Sequence, residues 1–161
     1  MKVKEFTYAC ILTAVIIVIE VLAAATGEFL VVLTMASTLP IYIICRRSIT
    51  LGIISYICVG VILLQINPHQ LIFFIFTNGL LGISLGFCDK KIMHAVMSIL
   101  ISGIMLFIGI IITVNLIGIF IIKWNTGIFA FLFSCVYAAF YRFVARKVYE
   151  KLNKIESTLK R

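Results

Sequence analysis

Residues 92–122, IMHAVMSILISGIMLFIGIIITVNLIGIFII, contain no Asp, Glu, Lys or Arg. A helix needs about 20 apolar residues to span the hydrocarbon core of a bilayer, so this run exceeds one span without reaching two. The rest of the chain reads the same way: 63% of its 161 residues are hydrophobic and 12% are charged, against roughly 45–50% and about 25% in a soluble domain. Such a composition also excludes disorder, which needs few apolar residues and many charges. The cysteines, Cys10, Cys45, Cys58, Cys88 and Cys135, are odd in number and embedded in apolar runs. They read as small hydrophobes, not as a secreted disulfide framework. The first apolar run shows no convincing small-residue cleavage site and reads as a span, not a signal peptide.

Working outward from 92–122, charges and turn residues are rare enough to act as punctuation. Thr26-Gly27-Glu28, Arg46-Arg47-Ser48, the Asn67-Pro68 turn, Asp89-Lys90-Lys91 and Lys123-Trp124-Asn125-Thr126-Gly127 separate the apolar runs. They predict six transmembrane helices at 6–26, 29–45, 49–64, 71–88, 92–116 and 128–143. The fifth is expected to tilt or kink near Gly103 and Gly109, with an interfacial stretch after it. The last continues into a charged helical tail, 144–161. Fold class is therefore all-α, a single six-helix membrane domain over 1–161. With the N-terminus cytoplasmic, every one of the 14 Lys and Arg residues except Lys123 falls on the same side, as the positive-inside rule requires. An odd span count would split that set. Both termini are expected in the cytoplasm, the protein in the plasma membrane. The +8 net charge then reads as an orientation signal facing anionic lipid, not as a nucleic-acid surface.

Several chemistries lack their residues. No glycine-rich loop ends in Gly-Lys-Ser/Thr to cradle ATP phosphates. The two histidines, His69 and His94, fall at opposite faces of the membrane and share no metal. Met93, His94 and Met97 read as ordinary packing. Asp89 is the only aspartate and sits in a turn, so no intramembrane aspartate pair exists. The expectation is a protein that is not an enzyme, with no cofactor or metal.

What remains is a set of polar groups near the outer side. Glu20 lies about 21 Å along the first span at 1.5 Å per residue, and an ionisable group inside a membrane is a functional-site hypothesis by default. Asn78 lies about 12 Å into the fourth span by the same rise. Asn115 belongs to the outer half of the fifth. His69, Lys123 and Trp124 lie in the outer loops. Together these six are candidate contacts for a small molecule in an outward-facing pocket. Each has a plainer role open: Glu20 paired with Lys123 or bonded between helices, Asn78 and Asn115 as interhelical glue, Lys123 and Trp124 as interfacial anchors, His69 solvated. Two small-x-x-x-small pairs, Ala9 with Thr13 and Cys10 with Ala14, let another helix approach the first span closely.

The chain resembles the substrate-binding S components of energy-coupling-factor (ECF) vitamin transporters. The resemblance rests on span count and length, on Ala9-Cys10-Ile11-Leu12-Thr13-Ala14 at the place of an Ala-x-x-x-Ala motif, and on the string from Asn67-Pro68-His69-Gln70 through Thr77-Asn78-Gly79 to Gly86. Neither small-residue pair is itself Ala-x-x-x-Ala. The resemblance implies a vitamin or cofactor-precursor ligand, and docking through Ala9, Cys10, Thr13 and Ala14 on a coupling transmembrane subunit. It also implies two partner ATPases whose hydrolysis tips the domain to release its ligand inside. In that scheme Glu20 would recognise an amine, Lys123 a carboxylate, and Trp124 would stack on a ring. Small six-span scaffold proteins of the cell-shape machinery resemble the chain equally in length and orientation, and would bind no solute.

Overall fold

The computed structural model describes residues 3–26, 31–91, 94–118 and 124–158, all in helices and their short connections. No strand occurs among them. In chain order the helices are α1 (Val3–Thr26), α2 (Val31–Ala36), α3 (Thr38–Arg47), α4 (Ile49–Ile66), α5 (Pro68–Phe73), a π-helical turn (Phe74–Gly79), α6 (Leu80–Lys90), α7 (Ala95–Ile117) and α8 (Trp124–Thr158). Five continuous segments are long and apolar enough to cross a membrane: α1, α4, Pro68–Lys90, α7 and the greater part of α8. Their outward faces are apolar, with Ile11, Val15, Ile57, Val61, Ile104 and Phe133 all exposed, as suits a lipid-embedded bundle.

The stretch expected as one second span is interrupted at Ser37 by a single tight turn, with φ −63° and ψ −23° still in the helical region, which divides it into α2 and α3. Pro40 supplies the reason. Its missing N–H and its ring forbid the helical bond to the carbonyl four residues back, that of Ala36, while in the first turn of a new helix it costs little. Thus α2 ends at Ala36 and α3 starts at Thr38.

Short α3 is the most enclosed element. Thr38, Pro40, Ile41, Tyr42, Ile43, Ile44 and Cys45 are all buried. Its two faces feed two cores: Ile41 and Ile44 pack with Ile16, Val59, Leu63 and Phe74, while Tyr42 and Ile43 pack with Leu81, Leu85, Leu106 and Ala138. Glycines on its neighbours allow the approach. A Cβ at Gly52 would stand 2.8 Å from Cys45 Cα, one at Gly82 2.9 Å from the Thr38 carbonyl oxygen, and one at Gly86 2.7 Å from Cys45 Cβ.

The fifth run is a continuous helix from Ala95 to Ile117. Gly103 and Gly109 are places of contact: a Cβ at Gly103 would stand 2.8 Å from Cys135 Sγ, and one at Gly109 would collide with the Phe76 carbonyl oxygen. Gly118 closes α7 at φ 72°, a left-handed cap that glycine adopts without a Cβ penalty. The Asn-Pro turn forms as its residues dictate: Asn67 Oδ1 accepts from the backbone N–H groups of His69 at 3.0 Å and Gln70 at 3.3 Å, with Pro68 opening α5. α8 runs 35 residues without interruption, about 52 Å at 1.5 Å per residue, so the last span and its charged tail are one rod.

One end of the bundle is basic and tied together. Arg142 Nε donates to Asp89 Oδ1 at 2.8 Å, with side chains only 12% and 2% exposed. Ser98 Oγ donates to the same oxygen at 3.2 Å, and Tyr42 donates to Asp89 Oδ2 at 2.8 Å while accepting from Arg46 at 2.9 Å. Arg47 lies 4.1 Å over the Tyr8 ring and pairs with Glu156 at 2.8 Å. These contacts join the start of α1, the α3–α4 junction, the end of α6, the start of α7 and the far part of α8. Asp89, expected as a simple turn residue, is the hub.

Two outcomes follow from this packing. Asp89→Asn leaves Arg142 without its buried counter-charge and is expected to destabilise the detergent-solubilised protein by about 3–5 kcal/mol, whereas Glu150→Gln, which breaks a pair with side chains 54% and 58% exposed, should cost less than about 1 kcal/mol. Gly109→Ala is expected to lower thermal stability by about 1–3 kcal/mol through overpacking, while Gly60→Ala, whose Cβ would meet nothing nearer than 3.6 Å, should be neutral or stabilising. Thermal unfolding of the purified variants reads both contrasts.

Candidate functional site

The candidate site starts from two departures from regular helix. At the first, the Ser37 backbone N–H and hydroxyl both donate to the Thr34 carbonyl, at 3.1 and 2.6 Å. The Tyr141 hydroxyl donates to the Met35 carbonyl. Carbonyls at a helix end lack intrahelical partners, and in apolar surroundings they must be satisfied by protein groups. The second is the π turn, a form associated with functional positions. Tyr56 pins it: its hydroxyl donates to the Ile75 carbonyl at 3.0 Å, its ring stacks on Phe74 at 5.7 Å, and Gly79 makes room for that ring.

Between these two features, α7 and α8 lies a cleft of about 280 Å³. Leu106, Ile110, Phe73 and Phe133 supply an apolar lining, and Thr34, Gln70, Thr77, Asn78 and Tyr137 supply the polar groups. Asn78 is 8% exposed. The Tyr137 hydroxyl is buried without a hydrogen-bond partner among the described residues, and its ring lies 6.3 Å from Phe133 and 5.6 Å from Tyr141. Gln70 reaches past the cleft to Glu20, donating from Nε2 to Oε2 at 2.7 Å. Glu20 is wholly buried, and its Oε1 has no hydrogen-bond partner among the described residues. Amides, hydroxyls and aromatic faces are the kinds of group that can orient a small molecule in a largely apolar pocket.

The six sequence-derived candidates divide. Asn78 lines the cleft, and Glu20 stands one hydrogen bond behind it. Asn115 does not join them: it is exposed on α7, and its Nδ2 donates to the Ile111 carbonyl of its own helix at 2.8 Å. His69 is exposed at the start of α5 and outside the cleft lining. Lys123 and the Trp124 side chain lie outside the described residues. The two small-residue pairs on α1 also separate. Ala9 is buried and Thr13 half-buried; Thr13 Oγ1 donates to the Ala9 carbonyl at 2.7 Å and is hydrogen-bonded with Ser55 Oγ on α4 at 2.8 Å, so this pair serves internal packing. Cys10 and Ala14 are exposed on the other face.

Gln70, Thr77, Thr34 and Tyr137 were not singled out by the sequence. For the first two a signal existed, because Gln70, Thr77 and Asn78 stand at i, i+7 and i+8 and so share one helical face. Thr34 and Tyr137 are brought to the cleft only by tertiary packing. No group of three or more His, Cys, Asp or Glu side chains able to hold a metal occurs among the described residues. Comparison of the chain with family models, curated proteins and solved structures returns no match.

Gln70→Ala would remove the 2.7 Å donor to Oε2 of the buried Glu20 carboxyl, so it is expected to cost about 1–3 kcal/mol. Gln65→Ala, at an exposed position on α4, should stay within about 0.5 kcal/mol of the parent; detergent-solubilised thermal melts compare the two.

Proposed function

We propose that this protein is the substrate-binding subunit of an ECF-type importer, capturing a small vitamin or cofactor precursor from outside the cell. The observation that carries the reading is the cleft at the broken α2–α3 segment, with Asn78, Gln70 and Tyr137 directed to it and Glu20 held behind. Its volume, about 280 Å³, is at the lower edge of the range for small-molecule sites, so the ligand is compact. Its predominantly apolar and aromatic lining favours a flat ring with few polar substituents.

In this reading the chain crosses the membrane six times, with α2 and α3 forming the second crossing as a discontinuous helix. The basic end faces the cytoplasm with both termini, in accord with the positive-inside rule, and the cleft opens toward the other side. Broken helices at membrane depth are tolerated where they line a cavity, and such breaks are a recurrent way of building substrate sites. The chain carries no ATP-binding loop, so energy comes from a coupling transmembrane subunit and two ATPase subunits. The exposed side of α1 at Cys10 and Ala14 offers the coupling subunit a shallow face. Ala9 and Thr13, engaged with α4, contribute to it only indirectly.

Purification from native membranes, with mass spectrometry of small molecules and of co-purifying proteins, tests the proposal. The expected result is one compact ligand at about one per chain, reduced at least tenfold in Asn78→Leu, together with ATPase subunits. Recovery of neither ligand nor ATPase would overturn it in favour of a membrane scaffold.

A further inference from the structure

At the basic end, away from the cleft, a groove of about 490 Å³ lies between the first turns of α7 and the far part of α8. Arg142, Arg146 and Lys147 line it, with Glu150 at its edge and Ile99 and Phe143 on its apolar side. Positions 142 and 146 are one helical turn apart and share a face of α8, and Lys147, one step round the helix, reaches the groove from its side.

Their existing partners leave cationic capacity free. Arg142 uses Nε for Asp89 at 2.8 Å, and no hydrogen bond engages its terminal nitrogens among the described residues. Arg146 uses Nε for Glu150 at 2.9 Å, a pair with both side chains more than half exposed. Lys147 lies 4.3 Å over the Phe143 ring and forms no ion pair among the described residues. Arg142 is balanced by Asp89 and Arg146 by Glu150, so three cations face two carboxylates and the groove keeps one net positive charge, carried by Lys147.

The surface next to the groove is of the opposite kind. Phe140, Val136 and Phe133 on α8, and Val96, Leu100 and Ile104 on α7, are exposed. None of them is charged, so both helices that line the groove also carry exposed apolar side chains. A cationic groove and exposed apolar side chains on the same two helices match a molecule with an anionic head and long hydrocarbon tails. We propose that this groove binds the phosphate headgroup of an anionic phospholipid, whose chains lie along the α7–α8 surface. Arginine forks engage phosphate oxygens in paired hydrogen bonds, and basic pockets between helices at the membrane surface are a physical basis for headgroup recognition. The inference rests on the protein being embedded in a membrane, not on the transport reading.

Native mass spectrometry of the full chain in detergent, supplied with phosphatidylglycerol, phosphatidylcholine or inorganic phosphate, tests it. The parent protein should retain phosphatidylglycerol at least threefold better than phosphatidylcholine. Arg146→Gln with Lys147→Gln should abolish that preference, while the charge-matched pair Lys151→Gln with Lys154→Gln, on the same helix outside the groove, should keep it. Glu150→Gln, which releases Arg146, should raise phosphatidylglycerol retention, a gain that misfolding would not produce. Equal losses in both double variants, or no preference in the parent, would overturn the proposal. Displacement of the lipid by millimolar inorganic phosphate would equally overturn it, because the site would then recognise phosphate without its chains.

Discussion

A helix cannot continue through Pro40 in apolar surroundings without losing a backbone hydrogen bond that no water replaces. The chain meets this constraint by stopping α2 at Ala36 and restarting at Thr38, with Ser37 bonded to the Thr34 carbonyl and Tyr141 to that of Met35. The Thr34–Met35 wall of the candidate site follows from that solution. α3 becomes a short, enclosed helix joining two cores, and the end of α2 forms one wall of the cleft. Tyr141, from the distant α8, is committed to supporting the break, which leaves the adjacent Tyr137 to face the cleft.

Close backbone approach makes the arrangement possible. Gly52 on α4 and Gly82 and Gly86 on α6 meet α3 at distances where a methyl group would not fit. Gly109 on α7 admits the Phe76 carbonyl at the π turn. Apolar side chains gain little from associating with one another when lipid tails are equally apolar, so tight packing over small residues and interhelical hydrogen bonds carry more of the association. The Asp89 knot at the basic end is the counterpart: one carboxylate receives donors from α3, α7 and α8 and fixes how those helices meet. The cleft lies toward the opposite end, near the Asn67-Pro68 turn.

Much of the architecture was legible in the sequence because charges in an apolar chain are conspicuous. The ends of α1, α4 and α6 fall at the punctuation, and the Asn-Pro turn and the long helical extension of α8 match their local signals. The break at Ser37 was not drawn from Pro40, although the steric rule was available, because hydropathy continues smoothly across it. That Gly103 and Gly109 each admit a neighbouring segment was not legible, because a glycine that weakens a helix and one that admits a neighbour look alike in one dimension. Of the site, Asn78 and Glu20 stood out as polar residues within apolar runs. Asn115 stood out equally but turns to its own helix, since depth along a helix does not specify direction around it. Thr34 and Tyr137 carry no mark distinguishing them from other residues in such spans.

The central claim is that the break in the second helical segment shapes a cleft for a small molecule. An experimental density map of the protein purified from its native membrane, without added ligand, tests it most directly. The account predicts compact non-protein density between Asn78, Gln70 and Tyr137, within hydrogen-bond distance of the Asn78 amide and the Tyr137 hydroxyl. A cleft filled by the protein's own side chains or by a lipid tail, with Asn78 and Tyr137 bonded to each other or to the backbone, would contradict it.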